Sequence, residues 1–271
     1  MRSFVLYLLF TFLYSFATLP ILSKAFRVGE SLKYKIRWGL MTVGYSNMSV
    51  VGKIHYKGKK CFVFKTEARG TKWVNTFFPV KDKIISFWDP VSQRPYYSEK
   101  DLNEGFYHRH HTVIYDHSKR IAFWKQKRIS GNTNKRGVRR KNAKWKFKKG
   151  VTPGLPVKFQ DMLSAIYYNR AHPAKGEPGK TFYLKVFDDL KLGTMKMSIL
   201  RRETITLEVN GVEKTYKALV TKPSYKTSGI FRSKGKVLIW ISDDEKRIPL
   251  KVTSKIPYMG HVTVEFIGGT F

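Results

Sequence analysis

Four histidines fall close together, His108, His110, His111 and His117, with Asp101, Glu104 and Asp116 beside them. Imidazole and carboxylate groups in such a mixture are the ligands of zinc sites. On a strand His108 and His110 would share a face while His111 points away. Arg109 and the surplus positive charge of the chain oppose a dication, so the stretch reads as a solvated basic turn. No metal and no other cofactor is expected. The segment Gly176-Glu177-Pro178-Gly179-Lys180-Thr181 imitates a phosphate-binding loop. It fails because two residues separate the glycines where four are needed, and a strand pattern follows where a helix should. Ser164 lies in a helical pattern with no G-x-S-x-G elbow and no predictable base. Asp188-Asp189 and Asp243-Asp244 sit beside turn signals, where aspartate serves local backbone hydrogen bonds. Paired-carboxylate hydrolysis would need two acids opposed across a cleft, and no catalytic residue is assigned.

The most distinctive chemistry is cationic. From Lys125 to Lys149 the chain carries twelve lysines and arginines and no acid. Lys125, Lys127, Arg128, Lys135, Arg136, Arg139, Arg140, Lys141, Lys144 and Lys146 are the candidate anion-binding residues. Trp124, Trp145 and Phe147 flank or interleave with them, so that charge would hold phosphate while rings enter a lipid head-group boundary or stack on sugar. Gly131, Asn132, Gly137 and Asn142 loosen the centre of the run, and Ala143–Lys148 alternates like a strand. The segment therefore reads as an overlong hairpin with a disordered basic tip. The competing reading is a hairpin tip that is merely solvated.

Around this run the chain has 271 residues, 42% of them hydrophobic, enough for one large core, and a formal net charge of +33. Met1 and Arg2 precede an almost uninterrupted apolar run from Phe4 to Leu22, closed by Ser23-Lys24-Ala25. A basic start, an apolar stretch and small residues at the end make residues 1–25 a signal peptide, cleaved near Ala25. An uncleaved N-terminal anchor is the alternative, since the run is about long enough to cross a bilayer. Residues 26–271 then form one exported β domain, periplasmic or otherwise outside the inner membrane, with 125–149 as a basic insertion. A single cysteine, Cys61, excludes an intramolecular disulfide and alternates with Val63 like a buried strand residue.

The elements that must position these groups are mostly strands. Leu32, Tyr34, Ile36 and Trp38 alternate with Lys33, Lys35 and Arg37, the pattern of a strand with one buried face. Further strands are expected at 42–51, 61–66, 84–88, 113–115 and 121–124. The strand 204–209 meets Asn210-Gly211, a pair suited to a type I′ turn, and returns through 216–220. A second hairpin joins 237–241 to 248–252 through Asp243-Asp244-Glu245-Lys246, and His261–Ile267 closes the sheet. One segment departs from this period: Phe159, Met162, Leu163, Ile166, Tyr167 and Arg170 fall on one helical face between Pro156 and Pro173. The fold class is mainly β, a curled antiparallel sheet or partly open barrel with one short amphipathic helix packed against it.

Three groups of residues, in this order, resemble the DUF3108 family of exported bacterial proteins. They are Gly29-Glu30 with Leu32, Tyr34, Trp38, Gly39 and Gly44; Asp161-Met162-Leu163-Ser164-Ala165 with Tyr167, Tyr168 and Arg170; and Trp240, Ser242, Asp243, Arg247, Pro249 and Leu250. The resemblance implies an exported, curled antiparallel sheet with a helix laid on it and supplies no activity and no functional residue. The basic insertion looks unlike a typical member.

Behind an export signal a strongly basic chain meets lipopolysaccharide, anionic phospholipid, teichoic or capsular polymer and peptidoglycan carboxylates, not nucleic acid. The expected role is non-enzymatic binding of an anionic envelope lipid or glycan, with peripheral membrane contact. The alternatives are an envelope hydrolase or transferase with acidic residues in a cleft, and a structural partner in an envelope assembly.

Overall fold

The computed structural model describes residues 25–129, 144–172, 176–227, 230–231, 236–256 and 260–271. Strands β1 (Ser31–Trp38), β2 (Met41–Tyr56), β3 (Lys59–Gly70), β4 (Lys81–Asp89), β5 (Arg94–Glu104), β6 (Tyr107–Asp116), β7 (Ile121–Ile129) and β8 (Lys146–Pro153) run as an antiparallel meander, each paired with the next. The second half contains β9 (Gln160–Asp161), β10 (Thr181–Asp188), β11 (Lys191–Val209), β12 (Val212–Thr227), β13 (Ile230–Phe231), β14 (Lys236–Ser242), β15 (Pro249–Ile256) and β16 (Gly260–Thr270). Among the described residues two helices interrupt the strands, α1 (Lys72–Phe77) and α2 (Met162–Ala171).

All described strands belong to one sheet, and the alternation expected of β1 is present: Leu32 and Tyr34 are buried while Lys33 is exposed. Lys57-Gly58 and Asn210-Gly211 both have positive φ at both central positions, the conformation that two-residue hairpin turns require. The 237–252 hairpin also forms, its turn held by Asp244, whose Oδ1 accepts the amides of Lys246 and Arg247, each at 3.0 Å. The final strand does not lie at an edge. β16 pairs with β1 on one side and β15 on the other, and so joins the two halves. The edges are β8 and β9.

The sheet curls until its two ends meet through side chains. Val113, Tyr115 and Ala122 of β6 and β7 pack with Leu155, Phe159 and Phe187 in one apolar cluster. Arg109 pairs with Asp189 at 2.8 Å, Lys100 with Asp188, and the Thr152 hydroxyl donates to the Leu190 carbonyl at 3.0 Å. This is a partly open barrel, curled and closed by contacts that are not a ladder.

Helix α2 lies against the inside of the curl. Leu163, Tyr167 and Ala171 join Phe26, Leu32, Phe64, Trp88, Val220, Leu250 and Phe266 in the main core, and the Tyr167 and Phe64 rings stack with centroids 3.8 Å apart. The helix begins three positions later than its apolar spacing suggests. Asp161 takes the N-cap, its carboxylate accepting the amides of Leu163 and Ser164, and the Ser164 hydroxyl accepts the Asp161 amide at 2.9 Å. This reciprocal capping box outweighs the apolar period. Phe159 is thereby left off the helix, and Ile166 is 38% exposed where the spacing had placed it in the core.

Candidate functional site

The basic run builds a hairpin stem. β7 and β8 pair with Lys125 opposite Lys149, Lys127 opposite Phe147 and Arg128 opposite Lys146. Alternation sends Phe123, Lys125 and Lys127 to one face with Phe147, Lys149 and Val151, and all six are exposed. Lys125, Lys127, Phe147 and Lys149 border, with His110 and Thr112 of β6, an open groove of about 510 Å³. The Lys127 ammonium stands 5.4 Å from the centre of the Trp145 ring, within cation–π range. Lys144 and Lys146 are exposed as well. Among the described residues no carboxylate pairs with Lys125, Lys127, Arg128, Lys144 or Lys146, so their charge is not neutralised locally. Lys135, Arg136, Arg139, Arg140 and Lys141 lie outside the described residues.

Trp124 is placed differently from its expected partners. It turns to the inner face and packs on the second apolar cluster, its ring so close to Gly150 that a Cβ there would lie 2.4 Å from it. Its indole N–H and the Arg128 Nε are buried without a hydrogen-bond partner among the described residues. Of the three expected rings, the two that face outward beside the lysines are therefore Trp145 and Phe147.

The histidine stretch is not a solvated turn as a whole: His108, His110 and His111 belong to β6, and only His117 lies in the turn after it. His108 Nδ1 meets the Asn103 side-chain oxygen at 2.9 Å, His110 faces Asp101 at 3.8 Å, and His117 Nε2 meets the Pro95 carbonyl at 2.8 Å. His111 is buried, and desolvation, reinforced by Arg109 and Lys100, pushes its pKa down to about 3. Among the described residues no three of His, Cys, Asp and Glu gather as a metal site.

The acids have structural partners. Asp243 holds Arg202 at 3.0 Å, and Glu30 pairs with Arg170. Cys61 is buried and its thiol is raised to about 11, chiefly by desolvation. Pro178 and Gly179 form a turn before β10, with the Lys180 amide donating to the Glu177 carbonyl at 3.2 Å.

Two apolar features escape a reading by period. The first is at one end of the meander. In β1 to β8 the turns β1–β2, β3–β4, β5–β6 and β7–β8 all leave the same end of the strands, because each strand reverses the one before. At that end Leu40 is 90% exposed, Phe77 82%, Phe78 50% and Trp73 48%. Trp73, Phe77 and Phe78 belong to α1 and its C-terminal cap, a helix fixed by Asn75, which donates to the Gly70 carbonyl and accepts the Val80 amide, both at 3.0 Å. Beneath them an apolar groove of about 410 Å³ includes Trp38, Val43 and Val262, with Arg69 at its side. The aromatic spacing at residues 73–78 was visible, but so short a helix has no period to detect. The second feature is a cleft of about 300 Å³ between α2 and strands β10, β11, β12, β14 and β15. Its walls come from separate strands, so no local pattern announces it. No described helix is long and apolar enough to cross a membrane, which says nothing about strands.

Comparison with known proteins adds the family and the fold. The family model described as a protein of unknown function, DUF3108, matches residues 33–267. No curated protein matches the chain. A β-barrel-like protein of the domain of unknown function DUF1849 from Brucella abortus is similar in structure, with a TM-score of 0.52 at 7% identity, over 89% of this chain and 96% of that one. A putative exported protein with a YmcC-like fold from Bacteroides fragilis aligns over 90% of this chain and 97% of its own, at 5% identity and a TM-score of 0.35. The Brucella likeness shows a shared β-barrel-like fold.

Proposed function

The chain belongs to the DUF3108 family of proteins of unknown function, and from that premise we propose that it is an exported envelope protein that binds the surface of an anionic lipid membrane without catalysing a reaction. The observation that carries the reading is a coincidence of place. Strands β7 and β8 carry their unneutralised cations along the edge of the sheet, and the chain passes from one to the other at the end that also carries the exposed Leu40, Phe77 and Phe78. Cations beside exposed apolar groups suit an anionic bilayer surface, where phosphates meet the lysines and the rings enter the head-group boundary. Each engaged lysine contributes about 1 kcal/mol near such a surface, so Lys125, Lys127 and Lys149, which share one face, together supply useful affinity. The Phe4–Leu22 run and Ser23-Lys24-Ala25 support delivery to that compartment through a signal peptide cut near Ala25.

Co-sedimentation of the purified protein with phosphatidylglycerol and with phosphatidylcholine vesicles, and retention on lipopolysaccharide, at low and high salt, tests the reading. Strong retention on the anionic vesicles and lipopolysaccharide at low salt that falls at high salt is expected. Equal, salt-insensitive retention on every surface overturns it.

A further inference from the structure

The cleft behind α2 has the character of a ligand site distinct from the basic stem. Met162 and Ile166 of the helix face Leu184 of β10, Met197 of β11 and Ile239 of β14 across about 300 Å³ of space, at the lower end of the ~300–1,000 Å³ range of small-molecule pockets. Thioether side chains such as Met162 and Met197 adapt their shape to a chain that enters. The polar groups on its wall are few. Arg170 is consumed by Glu30 in a bidentate pair. Arg247 is not fully used: its Nε is buried and has no hydrogen-bond partner among the described residues, while its side chain is 16% exposed, with Nη1 3.4 Å from Asp243. Asp243 is also held by Arg202 at 3.0 Å, so the three groups leave a net positive charge beside the cleft.

A buried N–H without an acceptor beside an apolar cavity is costly unless a ligand supplies the acceptor. We propose that this cleft binds a single acyl chain whose anionic head is met by Arg247. The proposal deepens the membrane-binding reading by naming what is taken up, and rests on that reading only for the source of the ligand.

The test is calorimetric titration of the purified protein with decanoate below its micelle concentration, alongside uncharged decanol and cationic decyltrimethylammonium. Decanoate binding at least tenfold tighter than either comparison, with a negative heat-capacity change, is expected. Arg247→Gln brings decanoate to the level of decanol, and Met197→Trp, which fills the cleft, abolishes uptake of both. Ile166→Asp does the same from a position already exposed, and covers the case in which Met197→Trp fails to fold. No decanoate binding, binding indifferent to head charge, or full binding by a folded Met197→Trp or Ile166→Asp protein overturns the proposal. A dimer that closes the cleft and excludes decanoate overturns it as well. Lys125→Glu with Lys127→Glu separates the two readings: decanoate binding without vesicle retention by the unmodified protein sinks the surface reading alone, and vesicle retention that this variant loses, without decanoate uptake, sinks the cleft alone.

Discussion

Arg170 on the buried side of α2 and Glu30 ahead of β1 form a bidentate ion pair, with N–O distances of 2.5 and 2.8 Å, across 140 residues of sequence. The same guanidinium donates through Nε to the Lys246 carbonyl at 2.9 Å. One side chain thus ties the segment before β1, the helix and the β14–β15 turn into one core.

Removing either partner leaves a buried charge without compensation, which costs about 3–5 kcal/mol. Arg170→Met and Glu30→Leu are each expected to lower stability in urea unfolding by about that amount. The double variant should lose clearly less than the sum of the two. Additive losses would mean that the pair does not act as a unit.

His111 gives a pH signature. Its folded pKa of about 3 lies below the ordinary value of 6.5, so the unfolded chain takes the proton first. The stabilisation is complete above pH about 6.5 and is lost as pH falls from there toward about 3. His111→Gln should therefore lose less melting temperature than the native protein between pH 7 and pH 5. Equal losses in both proteins would contradict the assignment.

The stem charges have a predicted size. Reversing Lys125, Lys127 and Lys149 to glutamate removes at least about 3 kcal/mol of attraction to an anionic surface, roughly a hundredfold in affinity. Titration with phosphatidylglycerol vesicles measures it. All three side chains are exposed, so the melting temperature should hardly move.

Much of the fold was legible because strand alternation reports burial directly. Leu32 and Tyr34, the Asn210-Gly211 turn and the second hairpin lie as their residue types indicate. The helix boundary was not, because Asp161 and Ser164 make reciprocal cap bonds that the apolar period ignores. The placement of β16 between β15 and β1 is a long-range pairing that no local pattern encodes. For the candidate site, the charge of the stem could be read but not its facing, so Trp124 was grouped with rings it does not accompany. Its inward turn follows from the register that sets it against Gly150. The cleft behind α2 depends on side chains from six elements and leaves no trace in any one of them.

Cys61 should be inert in the folded protein. Its thiol is buried and raised to about 11, which leaves little thiolate at neutral pH. A maleimide should react only after unfolding in urea, and rapid labelling of the native protein would refute this.

That inertness permits the most direct test of the membrane reading. Leu40 and Val91 are 90% and 88% exposed, and lie at opposite ends of the meander, in the β1–β2 and β4–β5 turns. Leu40→Cys and Val91→Cys, each carrying a polarity-sensitive fluorophore, are titrated with phosphatidylglycerol vesicles at low salt. The account predicts a blue shift and quenching by brominated lipid at position 40, and no change at position 91. The same response at both positions, or a response at 91 alone, would contradict it.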